Sequence, residues 1–456
     1  MQRLMSSNPA IRRAICGAGL IGAGLCVFAS SARAAQTISP LPQKPAWLNE
    51  LSLGLKEGYD DNVYLSGADQ RFMPPGKVSL KGRDSWVTTV SPRIGFDFRP
   101  LLGGTNTVQA LSLNYTPDFV TYHAANTESH QAHRFANAIK LQHEAFSMQV
   151  DHSFYYIHGP RLGPSYPGGL LNAYSTVTVR ERREQFQDRA KVNLRYDQDA
   201  WFARPTASLL YYELMTVQRP TTTAECYQNY PDRYDVNGGM DMGYKFSPDL
   251  AAVIGYRYGH QYQQQFSWDK YSTPSDYQRV LLGLEGRIGK WLKFEGLFGP
   301  DFRSYPGDTA THITPVRDHH PVKFYGEAGV AIEPTSNDTI TFKFKRLQWV
   351  SSVGRLPCQD MVFDLNYRRK LTDQLWLDLG GRAFNSDYTS ASLASGARSD
   401  WMITPAIGLR YAFTTQFSMD LGYSVDLGRN AQDGIVNPET RDFIRHIVSL
   451  GAQFKF

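Results

Sequence analysis

The chain has 456 residues, with 48 Lys and Arg against 43 Asp and Glu, which gives a net charge of +5 at pH 7. This small basic excess is dispersed among acids and argues against a nucleic-acid-binding protein, whose basic residues would cluster on one face or arm. Aromatic residues make up 13% of the chain and there are 38 glycines, a composition that favours closely packed strands over helices.

The first 34 residues have the pattern of a secretory signal peptide. Three arginines precede a short apolar stretch at 14–29, and an Ala-Arg-Ala cleavage pattern ends at Ala34. We expect cleavage after Ala34 and export through the Sec pathway. Residues 35–49 are rich in proline and predict an extended lead-in.

From residue 50 onward, apolar residues recur at every second position. Leu51, Leu53 and Leu55 begin this pattern, and Leu450 and Phe454 end it. A period of two predicts β-strands with one apolar and one polar face, and roughly 10 residues suffice for a tilted strand to cross a bilayer. We count about 18 such segments, with about 16 as the nearest alternative, an even number in either case. They span 51–55, 86–98, 111–115, 135–141, 148–156, 186–196, 207–211, 236–246, 252–258, 280–288, 292–298, 324–332, 340–344, 363–367, 375–379, 401–413, 417–425 and 444–454.

The connections alternate between tight turns of a few residues and loops of roughly 10 to 25 residues, which is typical of outer-membrane barrels, with short turns at one rim and long loops at the other. A soluble sandwich or propeller would not separate its loops in this way. The predicted long loops are 60–83, 123–132, 159–182, 217–233, 263–275, 303–321, 351–359, 386–399 and 428–441.

The last strand resembles that of Gram-negative outer-membrane β-barrel proteins, in which the final strand and its terminal aromatic residue act as the assembly signal. Here Tyr423, Phe454 and Phe456 would carry that signal. An edge strand of a soluble sheet would alternate in the same way, so the interpretation depends on the repeat along the chain. The sequence Tyr-Asp-Asp-Asn-Val at 59–63 resembles the start of the putative beta-barrel porin 2 family.

The resemblance implies an all-β, transmembrane, antiparallel up-and-down barrel with short periplasmic turns and long extracellular loops. The predicted division of the chain is a signal peptide at 1–34, a periplasmic lead-in at 35–49 and the barrel at 50–456. The resemblance also implies outer-membrane lipid, lipopolysaccharide and the barrel assembly machinery as partners. No stretch of the sequence predicts an oligomer contact, so the oligomeric state stays open.

The positions between the lipid-facing residues are polar and charged, so the lumen should be hydrated at this strand number. Basic residues outnumber acids there by roughly three to two, which favours anionic solutes; the alternative is cross-strand pairing that stiffens the wall. Few charges fall on the lipid face, and these lie near strand ends. The predicted pore-lining residues are Arg93, Arg134, Lys140, Arg189, Lys191, Arg195, Arg257, Arg287, Lys323, Lys343, Arg368, Arg382 and Arg410. The predicted aromatic girdles contain Tyr115, Tyr196, Tyr211, Tyr244, Trp291, Trp349, Trp401 and Tyr411.

The residues that follow the signal peptide contain no Gly-x-Ser-x-Gly, His-Glu-x-x-His or Cys-x-x-Cys motif. We therefore expect no enzyme activity, no catalytic residue, no metal and no cofactor. Cys226 and Cys358 both fall in predicted outward loops of an oxidising compartment, so a disulfide between them is one expectation and two free thiols the other.

The sequence thus predicts an outer-membrane channel for hydrophilic and preferentially anionic small solutes. One alternative is an export pore for an exopolysaccharide, since a cationic lumen would suit an acidic polymer. The other is a non-conducting surface scaffold or adhesin, plugged by its loops at 159–182 and 303–321.

Overall fold

The computed structural model describes residues 44–65, 84–102, 106–161, 182–215, 231–265, 273–305, 319–350, 357–388, 398–432 and 443–456. The chain divides into Met1–Pro45, of which only residues 44 and 45 are described, and Ala46–Phe456, which holds every strand. The signal peptide and most of the lead-in lie outside the described residues, so the predicted domain division stays a prediction.

The described residues form nineteen strand segments in one antiparallel sheet, which closes because β1 pairs with β19. The segments are β1 Leu48–Asp60, β2 Ser85–Asp97, β3 Val108–Tyr115, β4 Asp118–Tyr122, β5 His130–His143, β6 Phe146–His158, β7 Gln185–Gln198, β8 Trp201–Leu214, β9 Arg233–Ser247, β10 Leu250–Gln263, β11 Ser275–Ile288, β12 Leu292–Ser304, β13 Val322–Thr335, β14 Asp338–Val350, β15 Pro357–Lys370, β16 Leu375–Tyr388, β17 Arg398–Ala412, β18 Phe417–Gln432 and β19 Phe443–Lys455.

β3 and β4 are two parts of one wall strand. Both pair with β2 on one side and with β5 on the other. Thr116 and Pro117 separate them, and proline interrupts a ladder because it has no N–H to donate. The wall therefore has 18 strands. The predicted closed, up-and-down antiparallel barrel of 18 strands is confirmed, and the alternative of 16 is wrong.

The outer face of the barrel exposes large apolar side chains. Leu282 is 63% exposed, Ile254 54% and Leu421 51%, although soluble proteins rarely leave such patches uncovered. A closed sheet satisfies every backbone group internally, as hydrocarbon requires. Closure and the apolar exterior together make this a transmembrane barrel.

The two rims differ in their connections. At one rim, which we call the turn rim, consecutive strands are joined by short turns such as 144–145, 199–200 and 289–291. Gly289 and Asp199 take positive φ values of 57° and 48° there, conformations that glycine and aspartate adopt at low cost in tight turns. The opposite rim carries the longer connections, and we call it the loop rim. In the described part of the chain, no helix is long and apolar enough to cross a membrane.

β19 closes the barrel through a buried ion cluster at the seam with β1. Arg445 donates to Asp60 through Nε at 3.0 Å and Nη2 at 2.6 Å, and to Asp426 on β18 through Nη1 at 3.2 Å. All three side chains are buried. The cluster therefore ties the first strand of the wall to the last two.

The three residues of the predicted assembly signal all lie beside this seam. Phe454 pairs with Leu53 and its ring stacks on Phe417 at 4.7 Å. The backbone N–H of Phe456 donates to the Leu51 carbonyl at 2.9 Å, and Tyr423 lies on the neighbouring strand β18. Their role in assembly stays a prediction.

Candidate functional site

The lumen contains a cavity of about 1660 Å³ that is lined by side chains from most of the wall strands. Along β7 the lining residues alternate, among them Gln187, Arg189, Lys191 and Arg195, and Ala190 lines the cavity as well. Directly paired residues of an antiparallel sheet project to the same side. The pairing register therefore extends this inner face from β7 to all the remaining strands of the wall. The inner face is largely polar, but it also carries apolar residues such as Leu281 and Leu297, which the alternation had not led us to expect.

The pairing register places all thirteen predicted pore-lining residues on the inner face. Their part in conduction stays a prediction. Seven of them line the cavity: Lys140, Arg189, Lys191, Arg195, Arg257, Lys343 and Arg382. The other six are not among the lining residues of the cavity: Arg93, Arg134, Arg287, Lys323, Arg368 and Arg410.

Three of the seven form what we call the basic wall: Lys140 on β5 with Arg189 and Lys191 on β7. In the described part of the chain, none of the three forms an ion pair within 4.0 Å. Arg189 instead donates to the hydroxyl of Tyr212 at 2.6 Å, and its guanidinium lies 5.9 Å from the centre of that ring. The basic wall therefore presents excess positive charge to the cavity, which Asp151, the cross-strand neighbour of Lys191 and a lining residue of the same cavity, offsets only in part.

Other predicted pore-lining residues are neutralised by acids. Glu285 on β11 accepts from Arg195 at 2.8 Å and from Arg204 at 2.7 Å. Asp241 on β9 pairs with Arg204 at 2.9 Å and with Arg257 at 2.7 Å. The alternative interpretation, pairing that stiffens the wall, therefore describes this group, whereas the basic wall remains available to solutes.

An apolar cluster beneath these ion pairs narrows the lumen toward the turn rim. Phe202 on β8 is buried against Ala251 and Val253 of β10 and Leu297 of β12. A Cβ at Gly243 would lie 2.1 Å from the Phe202 ring, so glycine is required there for the ring to fit. The β8–β12 side of the lumen is therefore filled by side chains.

The same side is filled by a buried polar cluster toward the loop rim. Arg303 is 2% exposed and makes hydrogen bonds to Asp301 at 3.0 and 2.9 Å and to Gln261 at 2.7 Å. Asp301 also pairs with Arg279 at 3.1 Å, and the guanidinium of Arg279 lies 4.0 Å from the ring centre of Tyr277. Buried charges persist only when they are paired and hydrogen-bonded in this way.

This cluster holds the loop-rim end of β14, Gln348–Val350, inside the lumen. The carbonyl of Gln348 accepts from Gln261 Nε2 at 3.1 Å and from Arg303 Nη2 at 2.9 Å, and the carbonyl of Val350 accepts from Arg233 Nη1 at 2.7 Å. Because three strands separate β10 from β14 in the wall, these contacts require the end of β14 to lean inward. The end of β14 therefore occupies part of the lumen near the loop rim.

Two predictions made for residues of β14 and β15 are wrong. Trp349 lies inside the lumen, not in an aromatic girdle: it is 5% exposed and lies 4.7 Å from the Arg233 guanidinium. Cys358 lies in β15, not in a loop, and it is buried. Trp349 continues the inward phase of Lys343 along β14, so the girdle prediction was wrong because it rested on residue type near a strand end. The prediction for Cys358 was wrong because β15 begins before the predicted end of the loop. Cys226 lies outside the described residues, so the disulfide stays a prediction.

A second inward segment follows β1. The carbonyl of Val63 accepts from the buried Arg182, and Leu65 packs against Phe443 and Met402. The Asp61 carboxylate accepts from the backbone N–H of His446 at 2.6 Å. The motif at 59–63 therefore anchors this segment to the seam. The predicted plug loops at 159–182 and 303–321 lie almost entirely outside the described residues.

Several lumen residues were missed when only the sequence was considered. Arg204, Arg233 and Arg303 lie on the inner face. Each stands at an inward position of the alternation along its strand, so the alternation could have identified them. Tyr212 was missed because an inward tyrosine resembles a girdle residue in sequence. Its role depends on Arg189, which is 23 residues away along the chain.

Asp232, which precedes β9 at the loop rim, leads to a prediction for how the stability of the barrel depends on pH. Burial raises the pKa of Asp232 to about 6, whereas an unfolded aspartate titrates at about 3.9. Between these values the folded chain holds more protons, so stability should fall as the pH rises. Asp232→Asn should therefore stabilise the barrel at neutral pH, by on the order of 1 kcal/mol because the side chain is only partly buried, and should make the stability less dependent on pH.

The measurement is denaturant unfolding in detergent at pH values on either side of 6. Asparagine can still accept the hydrogen bond from the Leu214 N–H, which measures 2.7 Å, so the change isolates the charge. Asp199→Asn at the turn rim is the control. If both variants show the same pH dependence as the natural protein, Asp232 does not titrate in this range.

No family model and no curated protein matches the chain, so the resemblance to the porin 2 family stays a prediction. Several solved structures are similar in fold. OpdO of Pseudomonas aeruginosa is 10% identical over 89% of this chain and 97% of that chain, with a TM-score of 0.42. OccK2 (OpdF) of the same organism, solved with glucuronate, is 10% identical over 89% and 98%, with a TM-score of 0.41. OpdK, solved with vanillate, is 12% identical over 89% and 98%, with a TM-score of 0.39. These distant likenesses concern the fold alone.

Proposed function

We propose that this protein is an outer-membrane channel through which small hydrophilic solutes diffuse, with a preference for anions. The proposal rests on one observation: a polar cavity with an unpaired basic wall lies inside a closed barrel whose exterior is apolar. Lipid surrounds such an exterior, and water fills such an interior. Bacterial barrels of this kind lie in the outer membrane, which fits the signal-peptide pattern at 1–34.

The basic wall supplies the preference for anions. Lys140, Arg189 and Lys191 line one side of the cavity, where the surrounding protein keeps water from fully screening their field. Excess positive charge on a pore wall lowers the barrier for anions and raises it for cations. The inward end of β14 narrows the path, which suits small solutes better than a polymer chain, so we favour diffusion of solutes over export of a polysaccharide.

Planar-bilayer recording of the purified protein tests the proposal. We expect discrete conductance steps and a reversal potential that indicates anion preference in a salt gradient. Replacing Lys140, Arg189 and Lys191 with glutamate should lower the anion-to-cation permeability ratio severalfold, because the field at the wall changes sign. Measurement at two salt concentrations should show a larger change at low salt, where screening is weaker.

The matched control changes the same number of charges away from the cavity: Lys290, Arg369 and Lys370 to glutamate at the turn rim. It should leave the ratio nearly unchanged. Absence of conductance steps in the natural protein would favour the scaffold interpretation. An equal change in both triple variants would show that the basic wall does not lie on the path of the ions.

A further inference from the structure

The basic wall adjoins a group of neutral hydrogen-bonding side chains, which we call the polar patch: Asn193 on β7, Ser208 on β8 and Asn237 on β9. All three line the same cavity as the basic wall. Lys191 pairs directly with Ser208, and Ser208 pairs with Asn237, so the patch continues the row of the basic wall across two further strands. Charged and neutral polar groups therefore lie side by side in one part of the lumen.

Other side chains bound the polar patch toward both rims. Along β8, Ser208 lies between Phe202 and Arg204 on the side of the turn rim and Tyr212 on the side of the loop rim. Phe202 belongs to the apolar cluster that narrows the lumen. The guanidinium of Arg233 lies 4.8 Å from the ring centre of Tyr212. The polar patch is therefore a short stretch of wall that opens on the cavity between two filled regions.

The polar patch has unused hydrogen-bonding groups of both kinds. Asn193 Oδ1 accepts from Thr206 at 2.8 Å, and Asn237 Nδ2 donates to Ser208 at 2.7 Å and to Asp235 at 2.9 Å. Within the described residues, Asn193 Nδ2 and the Ser208 hydroxyl donate no hydrogen bond, and Asn237 Oδ1 accepts none. A ligand hydroxyl both donates and accepts, so it can use either kind of group.

A carboxylate lies among the cations of the basic wall. Asp151 on β6 pairs directly with Lys191 and lines the same cavity, and its Oδ2 accepts from Gln149 at 2.7 Å. Its negative charge weakens the attraction of the wall for a simple anion. An ionised carboxylate is, however, a strong acceptor of hydrogen bonds from hydroxyls. The arrangement therefore fits a ligand that carries hydroxyls as well as an anionic group.

The cations of the basic wall are accessible to such a ligand. Lys140, Arg189 and Lys191 are all exposed to the lumen. A guanidinium has five N–H donors, and within the described residues Arg189 directs only one of its nitrogens to an acceptor, the Tyr212 hydroxyl. Its remaining donors match the paired oxygens of a carboxylate or a phosphate. Arg189 is therefore suited to bind the anionic group.

We propose that the basic wall and the polar patch together bind a monosaccharide that carries an anionic group, either a carboxylate or a phosphate monoester. Arg189 and Lys191 hold the anionic group, and Asp151, Asn193 and Ser208 bond the sugar hydroxyls. The cavity of about 1660 Å³ has room for one sugar and its water. This inference rests on the proposed function, since the solute must reach the lumen, and it names the class of solute that is bound there.

Isothermal titration calorimetry of the purified barrel in detergent tests the binding with four ligands: galacturonate, glucose 6-phosphate, hexanoate and glucose. Hexanoate keeps the carboxylate without hydroxyls, and glucose keeps the hydroxyls without charge. We expect at least one of the two anionic sugars to bind about tenfold more tightly than either, because each hydrogen bond adds a severalfold gain. The tighter of the two identifies the anionic group. Hexanoate or glucose binding as tightly as both anionic sugars would overturn the proposal.

Planar-bilayer recording separates this inference from the proposed function. The anionic sugar that binds should reduce the ion current in a concentration-dependent manner, because a bound sugar obstructs the cavity. A barrel that conducts anions but binds neither anionic sugar would overturn the inference and leave the proposed function standing. A barrel that binds the sugar without conducting would support the inference and contradict the proposed function.

A double variant tests the polar patch. Asn193→Ala with Ser208→Ala should weaken the binding of the anionic sugar about tenfold through two lost hydrogen bonds, and should leave hexanoate binding unchanged. The matched control is Thr404→Ala with Ser424→Ala, on β17 and β18, which also line the cavity and should leave both affinities unchanged. Gel mobility before and after heating should show that both variants are folded. A folded patch variant that binds the sugar as tightly as the natural protein would overturn the proposal.

Asp151→Leu distinguishes a hydroxyl acceptor from a mere charge. Loss of the negative charge should tighten the binding of hexanoate, whereas the anionic sugar also loses a hydrogen-bond acceptor. We therefore expect the ratio of sugar affinity to hexanoate affinity to fall severalfold. An equal gain in affinity for both ligands would overturn the assignment of Asp151 to a sugar hydroxyl.

Discussion

Shortening the β14–β15 hairpin should raise the single-channel conductance severalfold. Leu347 and Asp360 are directly paired, so replacing residues 348–359 with an Asn-Gly turn joins the two strands without changing their register. The change removes the Gln348 and Val350 carbonyls, which Gln261, Arg303 and Arg233 hold inside the lumen. The conductance should rise because this end of β14 no longer occupies the lumen.

Planar-bilayer recording measures this effect, together with the permeation of larger solutes. The control replaces residues 389–397, between β16 and β17, with the same Asn-Gly turn, and should change the conductance much less. Gel mobility before and after heating should show that both variants are folded. An unchanged conductance in the β14–β15 variant would mean that this end of β14 does not limit flow.

Replacing Arg445 with alanine should destabilise the barrel by about 3–5 kcal/mol, the range for removing one partner of a buried ion pair. The guanidinium lies between the carboxylates of Asp60 and Asp426, which are 1% and 6% exposed. Without it, two like charges remain buried at the seam where β1 meets β19. Urea unfolding in detergent micelles, followed by tryptophan fluorescence, measures the loss.

Two variants distinguish the effect of the buried charges on stability from the effect of the lost packing. Arg445→Met combined with Asp60→Asn and Asp426→Asn removes the uncompensated charges and should recover most of the stability. Arg368→Ala breaks an exposed pair with Asp378 at 2.6 Å, in which the side chains are 66% and 40% exposed, and should cost at most about 1 kcal/mol. Equal losses for Arg445→Ala and Arg368→Ala would contradict a structural role for the seam cluster.

The alternation of side chains predicted the architecture well because a strand has only two faces. In a closed wall those faces meet either lipid or lumen, so the phase of a residue such as Arg189 assigns its environment directly. The strand number and the separation of turns from loops followed from the same repeat. The continuation of the third wall strand past Pro117 was missed because proline normally ends a run of strand residues.

The prediction failed where residue type was used in place of phase, or where one residue departs from its row. Trp349 was assigned to a girdle because it is a tryptophan near a strand end, although its phase along β14 is the inward phase of Lys343. The alternation did not reveal Asp188 on β7, because one polar residue in an apolar row does not change the phase of that row. The arrangement of the candidate site, in particular the contact of Arg195 with Glu285, joins residues 90 positions apart, and no local pattern carries that information.

The amino-acid sequence by itself determined the fold class, the facing of nearly every strand residue and the excess of basic side chains in the lumen, because these depend only on local periodicity and composition. The tertiary structure alone decided which basic residues are neutralised, where the lumen narrows and which polar side chains adjoin the basic wall. Those properties depend on the distances between side chains on different strands, which are set only when the sheet closes.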